Sequence, residues 1–246
     1  MKRITTVFAA VMLSAGVAGA APLNQGFESG LTNWLTIGDV VATPSTSVTT
    51  FNSIVWTINA FETTMAQLNP SVSMSTIATT LGITYEALNV LNTNPNNGSL
   101  TDGAAIYQTF AGTAGQTIST FFNYVATDYI PFNDPAYAVI VNQDTGSTEI
   151  INVLASIHGQ GIPVGTSGNT GWNEFSYTLP ANGNFLLAFV TTNDKDTILD
   201  SVLFLDNNAG TCIPDCPSLV STPEPASLSL LGLGVATLIG LRRRRR

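Results

Sequence analysis

Between residues 21 and 210 the chain is built of short runs rich in β-branched and aromatic residues, punctuated by Gly, Asn, Asp, Pro and Thr. Candidate strands are Ile54–Ile58, Ala104–Phe110, Thr117–Thr127, Ala136–Gln143, Glu149–Ala155, Trp172–Leu179, Phe185–Thr191 and Ile198–Leu205. Within Asn173–Leu179 alternation is clean, so Phe175, Tyr177 and Leu179 share one buried face. Phe185 to Val190 is apolar on both faces, the mark of a central strand covered on each side. Turns are signalled by Asn142-Gln143-Asp144-Thr145-Gly146 and by Pro180-Ala181-Asn182-Gly183-Asn184. The expected fold is all-β: a two-sheet jelly-roll β-sandwich. One stretch breaks the pattern. From about residue 60 to 92 apolar residues recur at spacings of three and four, as in Leu81, Tyr85 and Leu88, with Ser73 or Ser75 and then Thr84 as N-caps. This predicts a small helical insertion.

The two ends read as targeting segments. Met1-Lys2-Arg3, the apolar run Ile4–Val17 and Ala18-Gly19-Ala20 make a signal helix and cleavage site, placing a signal peptide at 1–20. The sandwich then occupies 21–210, a linker 211–221 and a sorting and anchor segment 222–246. In that last segment Leu228–Leu241 is a C-terminal transmembrane helix about 21 Å long at 1.5 Å per residue. That spans a bilayer only marginally, with arginines snorkelling at its end. Arg242, Arg243, Arg244, Arg245 and Arg246 stay on the cytoplasmic side by the positive-inside rule, which puts the body outside.

Charge narrows the partners. Lys195 is the one cation between the two end segments, against fifteen acids from Glu28 to Asp215. A body at about −14 repels phosphate backbones, which excludes nucleic acid as a partner, and attracts divalent cations.

Three features carry a resemblance. Pro223-Glu224-Pro225, a Leu/Gly-rich apolar run and the terminal arginines resemble the PEP-CTERM sorting signal. That resemblance implies processing by exosortase, a membrane-embedded cysteine protease, and a final place at the cell surface or in the matrix of a biofilm. Asn24-Gln25-Gly26-Phe27-Glu28 with Trp34, and Asp200–Asn207 at the other edge, resemble the first and last strands of galactose-binding-like jelly rolls, which include many carbohydrate-binding modules. The implication is a structural Ca²⁺ flanked by Glu28 and Asp206, with Asp39 or Asp102 as further ligands. The run Ile77–Leu88 resembles part of a LysM peptidoglycan-binding repeat, without a visible flanking strand pair.

Other constellations are weaker. The loop Asp128–Pro135 brings together Tyr129, Asn133 and Asp134, the aromatic, amide and carboxylate chemistry of a glycan contact. Asn193-Asp194-Lys195-Asp196 lacks EF-hand spacing and reads as a solvated turn. Cys212 and Cys216 form either a small local disulfide or two free thiols. His158 is the single imidazole, in a Gly-rich loop without a nucleophile signature. No catalytic residue is assigned. The function expected is therefore a non-enzymatic surface or matrix protein that associates with extracellular polysaccharide. Its competitor is a secreted polysaccharide-active enzyme using an Asp/Glu pair.

Overall fold

The computed structural model describes residues 21–51, 54–94 and 98–207, the side chains of 49–51 and 54 excepted. The signal peptide, Cys212 and Cys216, the linker, Pro223-Glu224-Pro225, the apolar run and the arginines lie outside the described residues. In chain order the elements are β1 (Leu35–Ile37), β2 (Asp39–Phe51), β3 (Ile54–Asn69), β4 (Val72–Ser73), α1 (Met74–Leu81), α2 (Tyr85–Asn89), β5 (Leu100–Gly112), β6 (Thr117–Val125), β7 (Ala136–Asn142), β8 (Ser147–Ser156), β9 (Ile162–Pro163), β10 (Asn173–Thr178), β11 (Gly183–Asp194) and β12 (Val202–Asp206).

These strands form two sheets. One has seven strands in the order β1-β5-β11-β7-β8-β9, with β4 also paired to β5. The other has five, in the order β10-β6-β12-β3-β2. Between them lies the main core, including Phe27, Trp34, Leu68, Phe122, Tyr124, Phe175, Phe185, Leu187, Phe189 and Leu205. β11 sits between β5 and β7, and its residues 185–190 are buried on both faces, as their unbroken apolarity requires. The alternation read at Phe175, Tyr177 and Leu179 holds, with all three packed into the main core.

The helical insertion is smaller than its expected span of 60–92. Residues up to Asn69 belong to β3, and helix begins only at Met74. The spacing of three and four extends over α1 and α2 alone; in β3, Ala66 and Leu68 face the main core while Met65 faces away, a period of two. Gly82 ends α1 in the left-handed region at φ 73°, its N–H reaching the carbonyls of Ala78 and Thr79. Thr84 caps α2, its hydroxyl accepting from Ala87 N at 3.1 Å. Met74, Ile77, Ala78, Leu81 and Leu88 pack onto Ala105, Tyr137, Val139, Leu186, Ala188 and Val190, covering the outer face of the seven-stranded sheet. Gly103 permits this close approach, since a Cβ there would lie 2.6 Å from Met74 Sδ and 2.5 Å from Thr191 O. β4 and β5 pair antiparallel through Val72–Gly103 and Ser73–Asp102. The LysM-like stretch therefore does have flanking strands; β4 is only two residues long, too short to read from sequence.

Two further expectations are corrected. Residues 24–33 form turns rather than a first strand, because Asn24, Phe27 and Asn33 have φ of 52°, 56° and 71°, outside the extended region. Phe27 and Trp34 nevertheless enter the core, with ring centroids 5.5 Å apart. The second omission is β2, a long run of Ser, Thr and Pro44 that resembles a loop in composition. It is an edge strand, where proline is tolerated.

Candidate functional site

The five-stranded sheet turns an unusual outer face outward. On β6 the residues alternate, so Phe122 and Tyr124 enter the core while Phe121, Asn123 and Val125 face away. Glu174 of β10 and Asp206 of β12 are both paired with Phe121, forming one row across three strands. The next outward row runs Asn123, Phe204, Gln67, Val41.

Part of this face is covered by the chain's own β2–β3 hairpin. Register slips between Pro44–Thr64 and Thr46–Asn59, so Ala60, Phe61, Glu62 and Thr63 bulge opposite Ser45 alone. Beyond the bulge the hairpin arm crosses the sheet. Ile58 is buried in one cluster with Met65, Val125, Val202 and Phe204, and Trp172 Nε1 donates to Asn59 O at 2.9 Å. Phe61 stands between Phe121 and Trp172, with centroids at 5.1 and 5.0 Å. All three rings remain partly exposed. Polar atoms around them lack partners: Trp56 Nε1, Asn123 Oδ1 and Asn207 Oδ1 are buried without a hydrogen bond. An unpaired buried polar group is unfavourable by about 1–3 kcal/mol, so this face forgoes stability that full pairing would supply.

The same bulge holds Glu28 and Asp206. Phe61 N donates to Asp206 Oδ2 at 2.7 Å and Asn207 N to Oδ1 at 2.7 Å. Glu28 Oε1 accepts from Thr63 N at 3.1 Å and Thr64 N at 3.2 Å, and its Oε2 from the Thr63 hydroxyl. Gly26 fits this junction because a Cβ there would meet Asn207 O at 2.7 Å. Burial pushes the Asp206 carboxyl up to about 7, against the pull of the Phe61 and Asn207 amides; the charges of Glu28 and Glu62 add to the rise. Both Asp206 oxygens and Glu28 Oε2 keep a further lone pair, whereas Glu28 Oε1 already accepts two amides, and the Oδ1 of neighbouring Asn207 has no partner. These all-oxygen donors fit a hard cation. Among the described residues no three His, Cys, Asp or Glu side chains form a metal-binding group, so carbonyl and amide oxygens would have to complete the shell. Asp39 lies elsewhere, bonded to Asn69 Nδ2 at 3.2 Å, and Asp102 stands at the β4–β5 pairing.

The loop 128–135 is split between inside and outside. Tyr129 is 44% exposed and packs edge-on against Phe132 at 5.3 Å. Asn133 and Asp134, expected beside it as ligand contacts, are buried and cannot touch a glycan in this arrangement. Their polar atoms are committed internally. Asn133 Nδ2 donates to Asn92 Oδ1 at 2.8 Å and its Oδ1 accepts from His158 N at 3.1 Å. Asp134 accepts from Asp194 N and Ser201 Oγ, each at 2.9 Å. Desolvation raises the Asp134 carboxyl well above the usual range and Asp128 to about 6. The acidic stretch 193–196 is likewise no solvated turn at its start. Asp194 is fully buried, accepting from Asn92 Nδ2 at 2.9 Å, from Asn94 Nδ2, and from Asn133 N at 3.2 Å. An apolar environment enforces these pairings, and alternation in sequence gives no sign of them.

Sequence reasoning missed the Phe61–Phe121–Trp172 group. Phe121 is visible as the outward partner of Phe122, but Phe61 reaches it only through a bulge that no local pattern announces.

Comparison with known proteins gives two kinds of match. Residues 221–246 match the PEP-CTERM protein-sorting motif. No curated protein matches the chain. The chain is similar to the solved structure of TmCBM61 in complex with beta-1,4-galactotriose, at 12% identity, a TM-score of 0.41, and 75% of this chain and 92% of that chain covered. It is also similar to a CBM4 structure, at 12% identity, a TM-score of 0.37 and coverage of 76% and 96%. A third is the K1 cleaved adhesin domain of Lys-gingipain from Porphyromonas gingivalis W83, at 12% identity, a TM-score of 0.35 and coverage of 74% and 96%. These likenesses are too distant to assign a residue or a ligand.

Proposed function

We propose that this is an exported protein, held briefly in the inner membrane by its C-terminal segment and released to the cell surface or matrix by exosortase. There its sandwich binds extracellular polysaccharide without hydrolysing it. The sorting motif at 221–246 supports the first part. The observation carrying the second is the outer face of the five-stranded sheet, where the rings of Phe61, Phe121 and Trp172 cluster and stay partly exposed. Aromatic faces stack on sugar C–H groups, and the acidic body favours a neutral or cationic glycan over a polyanion. Tyr129 adds an exposed ring elsewhere on the surface.

In this reading Glu28 and Asp206 hold a structural calcium, which would supply the positive charge that the two neighbouring carboxylates lack. Chelator should then lower the melting temperature of the parent protein by more than that of a Glu28→Gln, Asp206→Asn variant; equal shifts in the two would remove this ion. The processing step is tested by intact mass: a mature species ending near Pro223-Glu224-Pro225 supports it, and a full-length species persisting outside the inner membrane opposes it. The polysaccharide step is tested by retention on native gels cast with the producing organism's exopolysaccharide. Release of reducing ends during that experiment would mean an enzyme instead.

A second reading attaches to β4-α1-α2-β5, where the β4–β5 pairing closes the LysM-like stretch into a strand-helix-helix-strand unit. It predicts sedimentation with purified peptidoglycan that survives the loss of Trp172.

A further inference from the structure

At the end of β11 the ladder with β5 is interrupted. Thr192 pairs with Gly103 and Asp194 with Leu100, so Thr101 and Asp102 of β5 bulge opposite Asn193 alone. A bulge re-aims side chains, and the one residue facing it, Asn193, is 1% exposed. Its Nδ2 donates to Asp102 Oδ1 at 3.2 Å and to Asp200 Oδ1 at 2.8 Å, while its Oδ1 is buried with no hydrogen-bond partner.

The Thr101 hydroxyl is crowded by acceptors. It lies 3.1 Å from Asp102 Oδ1 and 3.3 Å from the carbonyl of Asn193, and it also contacts the carbonyl of Asp196. A hydroxyl has one proton to give, so it can serve only one of these three oxygens at a time. The two carboxylates also sense each other. Burial is the largest influence raising Asp102 above its usual range, the bonds from Thr101 and Asn193 lower it, and the Asp200 charge raises it again. Asp194 does not take part, because its oxygens are already occupied by Asn92, Asn94 and Asn133.

We propose that this bulge is a calcium site, formed by the side chains of Thr101, Asp102, Asn193 and Asp200 with the main-chain carbonyls of Asn193 and Asp196. The deciding observation is the Asn193 amide, which lies between two carboxylates while its oxygen has no partner in the present orientation. Turning the Asn193 amide over places its oxygen where the nitrogen now lies, 2.8 and 3.2 Å from the two carboxylates. Oxygens about 2.4 Å from a common ion and about 75° apart are separated by about 3 Å, which is the spacing of neighbouring calcium ligands. The same ion gives the Thr101 hydroxyl and the facing carbonyls a shared positive partner. Two carboxylates balance its charge. The site ties the start of β5 to the end of β11 and the 195–200 turn, and it shares no ligand with Glu28 and Asp206.

The test is calcium binding by the full chain in detergent, read as bound equivalents and affinity in calorimetry after chelator treatment. Asp102→Asn with Asp200→Asn should lose one equivalent relative to the parent, or hold it at least about tenfold more weakly for want of ligand charge. Glu28→Gln with Asp206→Asn should retain that equivalent, which separates this site from the other. Thr101→Val removes one neutral ligand with little change of shape, and should weaken the same equivalent if the double variant fails to fold. A parent that binds no calcium at millimolar concentration overturns the proposal. So does a folded Asp102→Asn, Asp200→Asn or Thr101→Val variant that matches the parent in equivalents and affinity.

Discussion

The two sheets bury their inner faces in one core but cover their outer faces by different means. On the seven-stranded sheet α1 and α2 lay down Met74, Ile77, Leu81 and Leu88 against Tyr137, Val139, Leu186 and Val190. The polar groups there are served: Tyr137 Oη donates to Leu88 O at 3.2 Å and Tyr85 Oη to Leu100 O at 3.0 Å. On the five-stranded sheet the cover is a hairpin arm, aromatic rings remain partly exposed, and three buried polar atoms go unpaired. Full burial of one large aliphatic side chain is worth about 1.5–3 kcal/mol, so the helical cover is chiefly a contribution to stability. The arm-covered face sacrifices some of that gain and keeps chemistry in reach of solvent. Difference in purpose is the simplest physical account.

Truncation on the two faces should separate stability from binding. Leu81→Ala under α1 is expected to lower unfolding free energy by about 2–5 kcal/mol in chemical denaturation while leaving polysaccharide retention intact. Retention lost in step with stability would erase the distinction. Between the faces, Asp134→Ala strands Asp194 N and Ser201 Oγ, and should be destabilising by about 1–3 kcal/mol for each group left unpaired. A loss below 0.5 kcal/mol would show that water reaches this network.

A pH series sharpens the same contrast. Asp128 and Asp134 have carboxyl groups raised above the unfolded value near 3.8, Asp128 to about 6. The folded state therefore holds more protons than the unfolded one between those values. Their contribution is complete below about pH 4, and the Asp128 share is lost as pH rises through 6, so in chelator the denaturation midpoint should fall between pH 4 and 7. Asp128→Asn should flatten part of that slope; an unchanged slope would assign it to other groups. The smallest effect is expected at Tyr129→Ala, within about 0.5 kcal/mol of the parent in stability because the side chain is 44% exposed on the surface.

Much of the sandwich was legible because strand burial writes itself as period two. Phe175, Tyr177 and Leu179, and the doubly apolar run 185–190, landed where their patterns placed them. β2 was hidden because an edge strand needs little hydrophobicity, and Pro44 with its Ser and Thr neighbours has the composition of a loop. The site was less legible. Glu28 and Asp206 meet on the bulge of β3, but the turn that carries Glu28 was expected to be a strand. Asn133 and Asp134 had the right chemistry for a ligand and the wrong side of the loop, since their burial is decided by Asn92, Asp194 and Ser201 from distant segments. Phe61, Phe121 and Trp172 come from three separate elements, and only tertiary register brings them together.

The central claim is that the arm-covered face binds polysaccharide, and affinity electrophoresis tests it most directly. The parent and Leu81→Ala should be retarded in gels containing the exopolysaccharide, whereas Trp172→Ala and Phe121→Ala, shown to be folded by near-ultraviolet dichroism, should migrate as they do in plain gels. Equal retardation of the folded Trp172→Ala and Phe121→Ala variants and the parent, or no retardation of the parent, would contradict the account.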